Sequence, residues 1–138
     1  MENKNKKGGI KMNQIEKVEG YTEKTFEDIK HIDEYGHEYW TARELQKALE
    51  YIKWDKFLNV IEKAKIAYKN SGYDINNDFL QAGKIIKAGA ASKTIKDMKL
   101  SRYACYLIVQ NADPNKKVVA LGQTYFAIQT RKQELTEQ

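Results

Sequence analysis

"GKIIKAGAASKTIKDMKLSR", Gly83–Arg102, is the stretch on which the fold turns. Read as a phosphate-binding loop, it places a nucleotide in a parallel α/β sheet. Read as two strands around a small-residue turn, it makes the protein α+β. The pattern G-x-x-x-x-G-K-[ST] fails here, because five residues separate Gly83 from Gly89 and Ala90, not lysine, follows. No apolar strand leads in and no helix clearly leaves. "FLQAGKIIK" and "KTIKDMKL" each alternate in part, and the small residues Ala88 to Ser92 suit the loop between them. A hairpin is therefore expected. A short helix through "DFLQAGKIIKAG" is the alternative for its first arm.

Charge sharpens the interest of this segment. Lys84, Lys87, Lys93, Lys96, Lys99 and Arg102 oppose only Asp97, a balance of +5, equal to the formal net charge of the whole 138-residue chain. From Gly20 to Glu50, four cations face eight anions. Such asymmetry points to a face that meets a polyanion, against the plainer reading of a solvated lysine-rich surface. Lys84 and Lys87 differ in strand parity, as do Lys93 and Lys96, so regular arms cannot turn all four one way.

Outward from the segment, "IKHIDEYGHEYW" alternates around Tyr35-Gly36 and predicts a first hairpin. Thr41 and Glu44 have capping-box spacing, so a helix is expected from Ala42 to about Tyr51. A second runs from about Trp54 to Asn70, with Trp54, Phe57, Leu58, Ile61, Ala64 and Tyr68 on one face and Gly72 as its stop. After the basic hairpin, Ser101 caps a helix through "RYACYLIVQN", apolar on nearly every side. Asp113 and Pro114 open a last helix, about Asn115 to Glu134, in which Gly122 permits close packing. The order ββααββαα is α+β, two β-hairpins interleaved with about four helices. Residues 1–20 read as a flexible polar arm and 21–138 as a single domain.

Few residues support catalysis. Cys105 sits in an apolar run and reads as buried and inert. His31, Asp33 and His37 share strand parity, but exposed hairpin polar groups explain them better than a metal site. Clustered carboxylates at Asp33, Glu34 and Glu38 leave a nuclease centre as a minor alternative. No catalytic residue, metal or cofactor is expected. No apolar run approaches the length a bilayer span needs, so no membrane partner is expected and the location expected is cytoplasmic. Phosphate contact through Lys84, Lys87, Lys93, Lys96, Lys99 and Arg102 is the leading reading. Arg43 and Lys47 on the first helix are secondary contacts, and Lys53 and Lys56 extend the patch.

"FEDIKHIDEYGHEYWTARELQKALEYIKWDKFLNVIEKAKIAYKNSGYDI", "LSRYACYLIVQNADP" and "ALGQTYFAIQTRKQEL" resemble the N-terminal half of a family of DNA-damage-inducible proteins. The resemblance covers about Thr25 to Glu137. "EYWTARELQKALEY" and "LSRYACYLI" also resemble the BRO N-terminal domain of baculovirus repeated proteins and phage antirepressors. The resemblance implies a BRO-N-like α+β domain linked to DNA binding and a role in the SOS response beside a recombinase filament on single-stranded DNA. Family members run to about twice this length, so it also implies that a C-terminal half is absent. The alternative function is an antirepressor-like interaction module. Its partner is a recombinase, a repressor or a second copy in a homodimer, met through "VVALGQTYFAI" of the last helix.

Overall fold

The computed structural model describes residues 25–72 and 74–137, so the expected arm at 1–20 lies outside the described residues. Residues 25–28 form a helical turn. Strands β1 (His31–Ile32) and β2 (Glu38–Thr41) pair antiparallel, His31 opposite Tyr39. Their connection takes residues 33–37, wider than a two-residue hairpin turn centred on Tyr35-Gly36. The Asp33 N–H donates to the His37 carbonyl at 2.9 Å, Gly36 takes φ +81°, and Asp33 Oδ1 accepts from the Tyr35 and His37 N–H groups.

Helix α1 (Ala42–Ala48) starts directly from β2. Thr41 Oγ1 accepts from the Glu44 N–H at 3.3 Å and donates to the Glu44 carboxylate at 2.6 Å, which is the capping pair expected from their spacing. The helix stops short of Tyr51. Glu50 turns to φ +60°, and the Tyr51 N–H reaches back to the Gln46 carbonyl, closing the last turn. Helix α2 (Trp54–Asn70) matches its expected bounds and buries Phe57, Val60, Ile61, Ala64 and Tyr68. Gly72, at φ +91°, ends it as expected.

A single 3-10 turn (Ile75–Asn77) leads into strands β3 (Phe79–Ala88) and β4 (Ala91–Leu100). The decisive segment is thus a hairpin, and the helical alternative for its first arm is not seen. Gly89 has φ +67° while Ala90 has no positive φ, the pattern of a type II′ turn with glycine first. The sheet order is β1-β2-β4-β3, all antiparallel, joined at its middle by Trp40 opposite Leu100 and Thr41 opposite Lys99.

Helix α3 (Arg102–Asn111) is capped by Ser101, whose Oγ accepts from the Ala104 N–H at 3.0 Å. Helix α4 (Lys117–Glu137) begins and ends later than the pattern suggested. Asp113 makes a separate turn before it, accepting from the Asn115 N–H on Oδ1 and from the Lys116 N–H on its carbonyl. The order is the ββααββαα expected.

Trp40, Phe79, Met98 and Leu100 lie on one side of the sheet and are buried, together with Phe57, Ile61, Ile108 and Val119 from the helices. Phe26 stacks on Trp40 with ring centroids 4.3 Å apart, and Trp40 Nε1–H donates to the Phe26 carbonyl. Each such large side chain contributes about 2–3 kcal/mol by leaving water. Among the described residues, no helix is long and apolar enough to cross a membrane.

Candidate nucleic-acid interface

The β3–β4 ribbon grows out of this core. Its root, Phe79 opposite Leu100, is buried, yet none of the residues from 80 to 96 is. Ile85 is 73% exposed, so the outer ribbon rests on little besides its own pairing. At about 3.3 Å per residue, the part beyond Gly83 extends roughly 17 Å to the turn. No carboxylate occurs from residue 79 to residue 96.

The register sorts the lysines. Directly opposed residues share a side, and the side alternates along each strand. One side carries Gly83 with Lys96, Ile85 with Thr94, and Lys87 with Ser92. The other carries Leu80 with Lys99, Ala82 with Asp97, Lys84 with Ile95, and Ile86 with Lys93. Lys84, Lys93 and Lys99 therefore lie apart from Lys87 and Lys96, as strand parity required.

The second side is engaged at its foot. Lys99 Nζ stands 4.8 Å above the Tyr39 ring, and His31 stacks on the other edge of that cluster, 5.1 Å from Tyr39. His31 Nε2 meets Glu44 at 2.5 Å. Burial raises the Glu44 pKa, but hydrogen bonds from Thr41 and His31 outweigh it, with help from Lys84, and the net direction is down. Asp97 is buried and accepts from the Met98 and Arg43 N–H groups. The one acidic group of the segment is thus spent inside the protein.

Arg43 joins the ribbon to the helices. Its Nε–H donates to the Lys96 carbonyl at 2.9 Å, and its guanidinium lies 3.8 Å from the centre of the Trp54 ring. Beyond Trp54, Lys53 and Lys56 border a shallow cleft with Tyr51, Ile52, Asp113 and Lys116. Lys116 Nζ donates to the Glu50 carbonyl and lies 4.8 Å over Tyr51. Lys47 is exposed in the last turn of α1.

Arg102 behaves differently from the lysines. Its Nε and Nη2 donate to the two oxygens of Glu38 at 2.7 and 3.0 Å, and Nη2 also reaches Glu27 at 3.1 Å. The guanidinium lies 5.0 Å from the Trp40 ring centre. The Glu38 bond pushes the Arg102 pKa further up and holds the Glu38 carboxyl below its usual range. Its Nε and Nη2 donors are committed to two carboxylates.

Chemistry for catalysis does not assemble around these groups. Asp33 is used by its turn, and His37 is an exposed neighbour at 3.7 Å. Among the described residues no three of His, Cys, Asp or Glu gather as a metal site. Cys105 is buried, and desolvation pushes its thiol pKa up, away from the reactive thiolate. Tyr103 on α3 is 47% exposed.

Several contributors escaped a reading by pattern. Tyr39 under Lys99 and Trp54 under Arg43 are contacts between separate segments, and Lys116 lines the same cleft as Lys53. Parity placed Tyr39 on the same side as Lys99 only once the two-pair junction of β2 with β4 was known.

The N-terminal domain model of the BRO family matches residues 28–127. The chain belongs to the BRO family. The matched BRO domain takes in both hairpins, α1, α2, α3 and the first half of α4, so the ribbon is part of it. DNA damage-inducible protein D of Escherichia coli (strain K12) is 51% identical over 113 residues, which are 81% of this chain and 41% of that protein. This BRO chain therefore spans less than half of that relative's length. No solved structure matches the chain.

Proposed function

We propose that this chain is a non-enzymatic DNA-binding module whose basic ribbon neutralises phosphates. One observation carries the reading: the ribbon stands clear of the core with cations on both sides and no carboxylate from residue 79 to 96. Lys84, Lys87, Lys93, Lys96 and Lys99 are the primary contacts. Arg43, Lys47, Lys53 and Lys56 border them, and Arg102 anchors the ribbon's foot. The relative's name marks that protein as inducible by DNA damage. Carried to this chain, it supports a role in the response to DNA damage; a cytoplasmic SOS role beside a recombinase is proposed on the family resemblance alone.

Fluorescence anisotropy with labelled oligonucleotides at increasing salt tests the reading. Five lysines brought against the polyanion, each releasing about one counterion, give a log–log salt slope of about −4.5 on duplex DNA. Replacing Lys84, Lys87, Lys93 and Lys96 by Gln makes that slope shallower by about 4. Absence of binding at low salt rejects the proposal.

A second reading rests on a separate groove between α3 and α4, lined by Tyr103, Tyr106, Leu107, Phe126 and Ala127. Half-exposed Tyr103, its ring 6.4 Å from that of Tyr106, offers an aromatic anchor of the kind enriched at interfaces, and a second copy is the occupant proposed. Light scattering that returns a dimer mass, lost in Tyr103→Glu, supports it. A strict monomer at high concentration removes it.

A further inference from the structure

We propose that the β3–β4 ribbon enters the major groove of duplex DNA with its Gly83, Ile85, Lys87, Ser92, Thr94 and Lys96 side toward the base edges. This rests on the DNA-binding reading and says which nucleic acid, which groove and which side.

Width selects the groove. Paired strands lie about 4.8 Å apart, and their side chains widen the ribbon further. A major groove about 12 Å wide admits a two-stranded ribbon as it stands, whereas a minor groove about 6 Å wide must first be opened by bending the duplex. Composition selects the duplex. Single strands are held by stacking bases on aromatic rings, and residues 80–96 contain no aromatic residue.

Burial and charge select the side. All six residues of the proposed side are exposed. They bring the groups that base edges answer to: lysine ammonium groups for guanine N7 and O6, hydroxyls of Ser92 and Thr94 for either partner, and the Ile85 methyl surface for a thymine methyl. Gly83 leaves Thr94 its place, since a Cβ there lies 2.8 Å from Thr94 Cγ2. Both sides are buried at the foot, the proposed one at Phe79, Met98 and Leu100 and the opposite one at Asp97, but beyond the foot the opposite side stays half covered at Lys84, Ile86 and Ile95. Its foot also carries the Glu44 carboxylate, near enough to Lys84 to feel its charge, and the Asp33 carboxylate, which feels Lys99. Those anions oppose turning that foot toward the acceptor-rich floor of the groove. The long stems of Lys84 and Lys93 reach past the ribbon's edges to the groove walls, where they position without reading sequence.

The test uses the full chain and anisotropy on four forms of one sequence. These are the plain duplex, the duplex with glucosylated 5-hydroxymethylcytosine filling its major groove, the duplex saturated with the minor-groove ligand distamycin, and the single strand. The expected result is an affinity at least about tenfold lower for the glucosylated duplex and for the single strand, with distamycin changing it less than about twofold. Equal binding to plain and glucosylated duplex, or to duplex and single strand, overturns the groove assignment while leaving DNA binding intact. Binding to none of the four rejects the DNA reading itself.

The side is tested by selection from a randomised duplex pool. Ser92→Ala with Thr94→Val should change the selected sequences, and Lys84→Gln with Lys93→Gln should lower affinity evenly across them. The reverse result overturns the side assignment. All four positions lie on the ribbon outside the buried core, and circular dichroism confirms that each variant folds.

Discussion

Arg102 shows how a cation at the end of a basic run becomes a structural part. Its guanidinium is clamped by Glu38 and Glu27 and covers the edge of Trp40, so truncation removes a bidentate pair and apolar cover together. Arg102→Ala should cost about 1–2 kcal/mol, discounted for the exposure of the pair. A urea midpoint measures that loss, and DNA affinity at fixed salt should stay within about twofold. Gly122 makes a complementary case. A helical Gly→Ala change ordinarily gains about 1 kcal/mol, but here the new Cβ would sit 3.1 Å from Cγ1 of buried Val109. Val109 is β-branched, helical and 3% exposed, so it has no rotamer to retreat to. Gly122→Ala should therefore lower stability by about 1 kcal/mol, checked by thermal unfolding. These two residues mark the limits of pattern reading. The Ser101 cap, the Gly72 stop and tight packing at Gly122 follow from neighbours within a helix turn. The partners of Arg102 are 64 and 75 residues away, and no local signal names them.

The ribbon was legible as an element and illegible as a shape. Alternation and the small tip announced two strands, and parity alone separated Lys84 and Lys93 from Lys87 and Lys96. Its free-standing outer half follows from something nonlocal, since β2 meets β4 at only two residue pairs before turning into α1. Asp97 illustrates the same limit. It counts as a surface anion in a charge tally, yet folding buries it against the start of α1, away from the ribbon's outer surface. A ribbon held mainly by its own pairing depends on its turn. Gly89 at the first central position of a type II′ turn has open space around it but a φ that an L-residue resists. Gly89→Ala should cost about 1–2 kcal/mol, felt locally. Hydrogen exchange should show faster opening of ribbon amides between residues 83 and 96, with core amides of α3 unchanged. Equal acceleration in both would mean that the ribbon and the core open as one unit.

Charge is divided across the molecule, with carboxylates gathered on the first hairpin and its flanks and cations on the ribbon. The division has a consequence for acid stability. Glu27, Glu38 and Glu44 are each held below the ordinary value of 4.5, through Lys30 and Arg102 for Glu27, through Arg102 for Glu38, and through Thr41 and His31 against burial for Glu44. Asp33 is held below 3.8, first by the His37 N–H. A carboxylate with a lowered folded pKa binds its proton first in the unfolded chain. Its stabilising contribution is complete above the unfolded value and disappears as pH falls through the folded one. Stability should thus be level from pH 7 down to about 5 and fall steeply below about 4.5. Arg102→Ala separates the causes. Glu38 loses its main partner and Glu27 one of two, so both move back toward their ordinary range, while Glu44 and Asp33 keep theirs. Urea midpoints between pH 7 and pH 3 should then show a variant that is less stable at neutrality and loses less on acidification, so that the two curves converge at low pH. Parallel curves would mean that the clamp on Arg102 contributes through packing over Trp40 and not through charge.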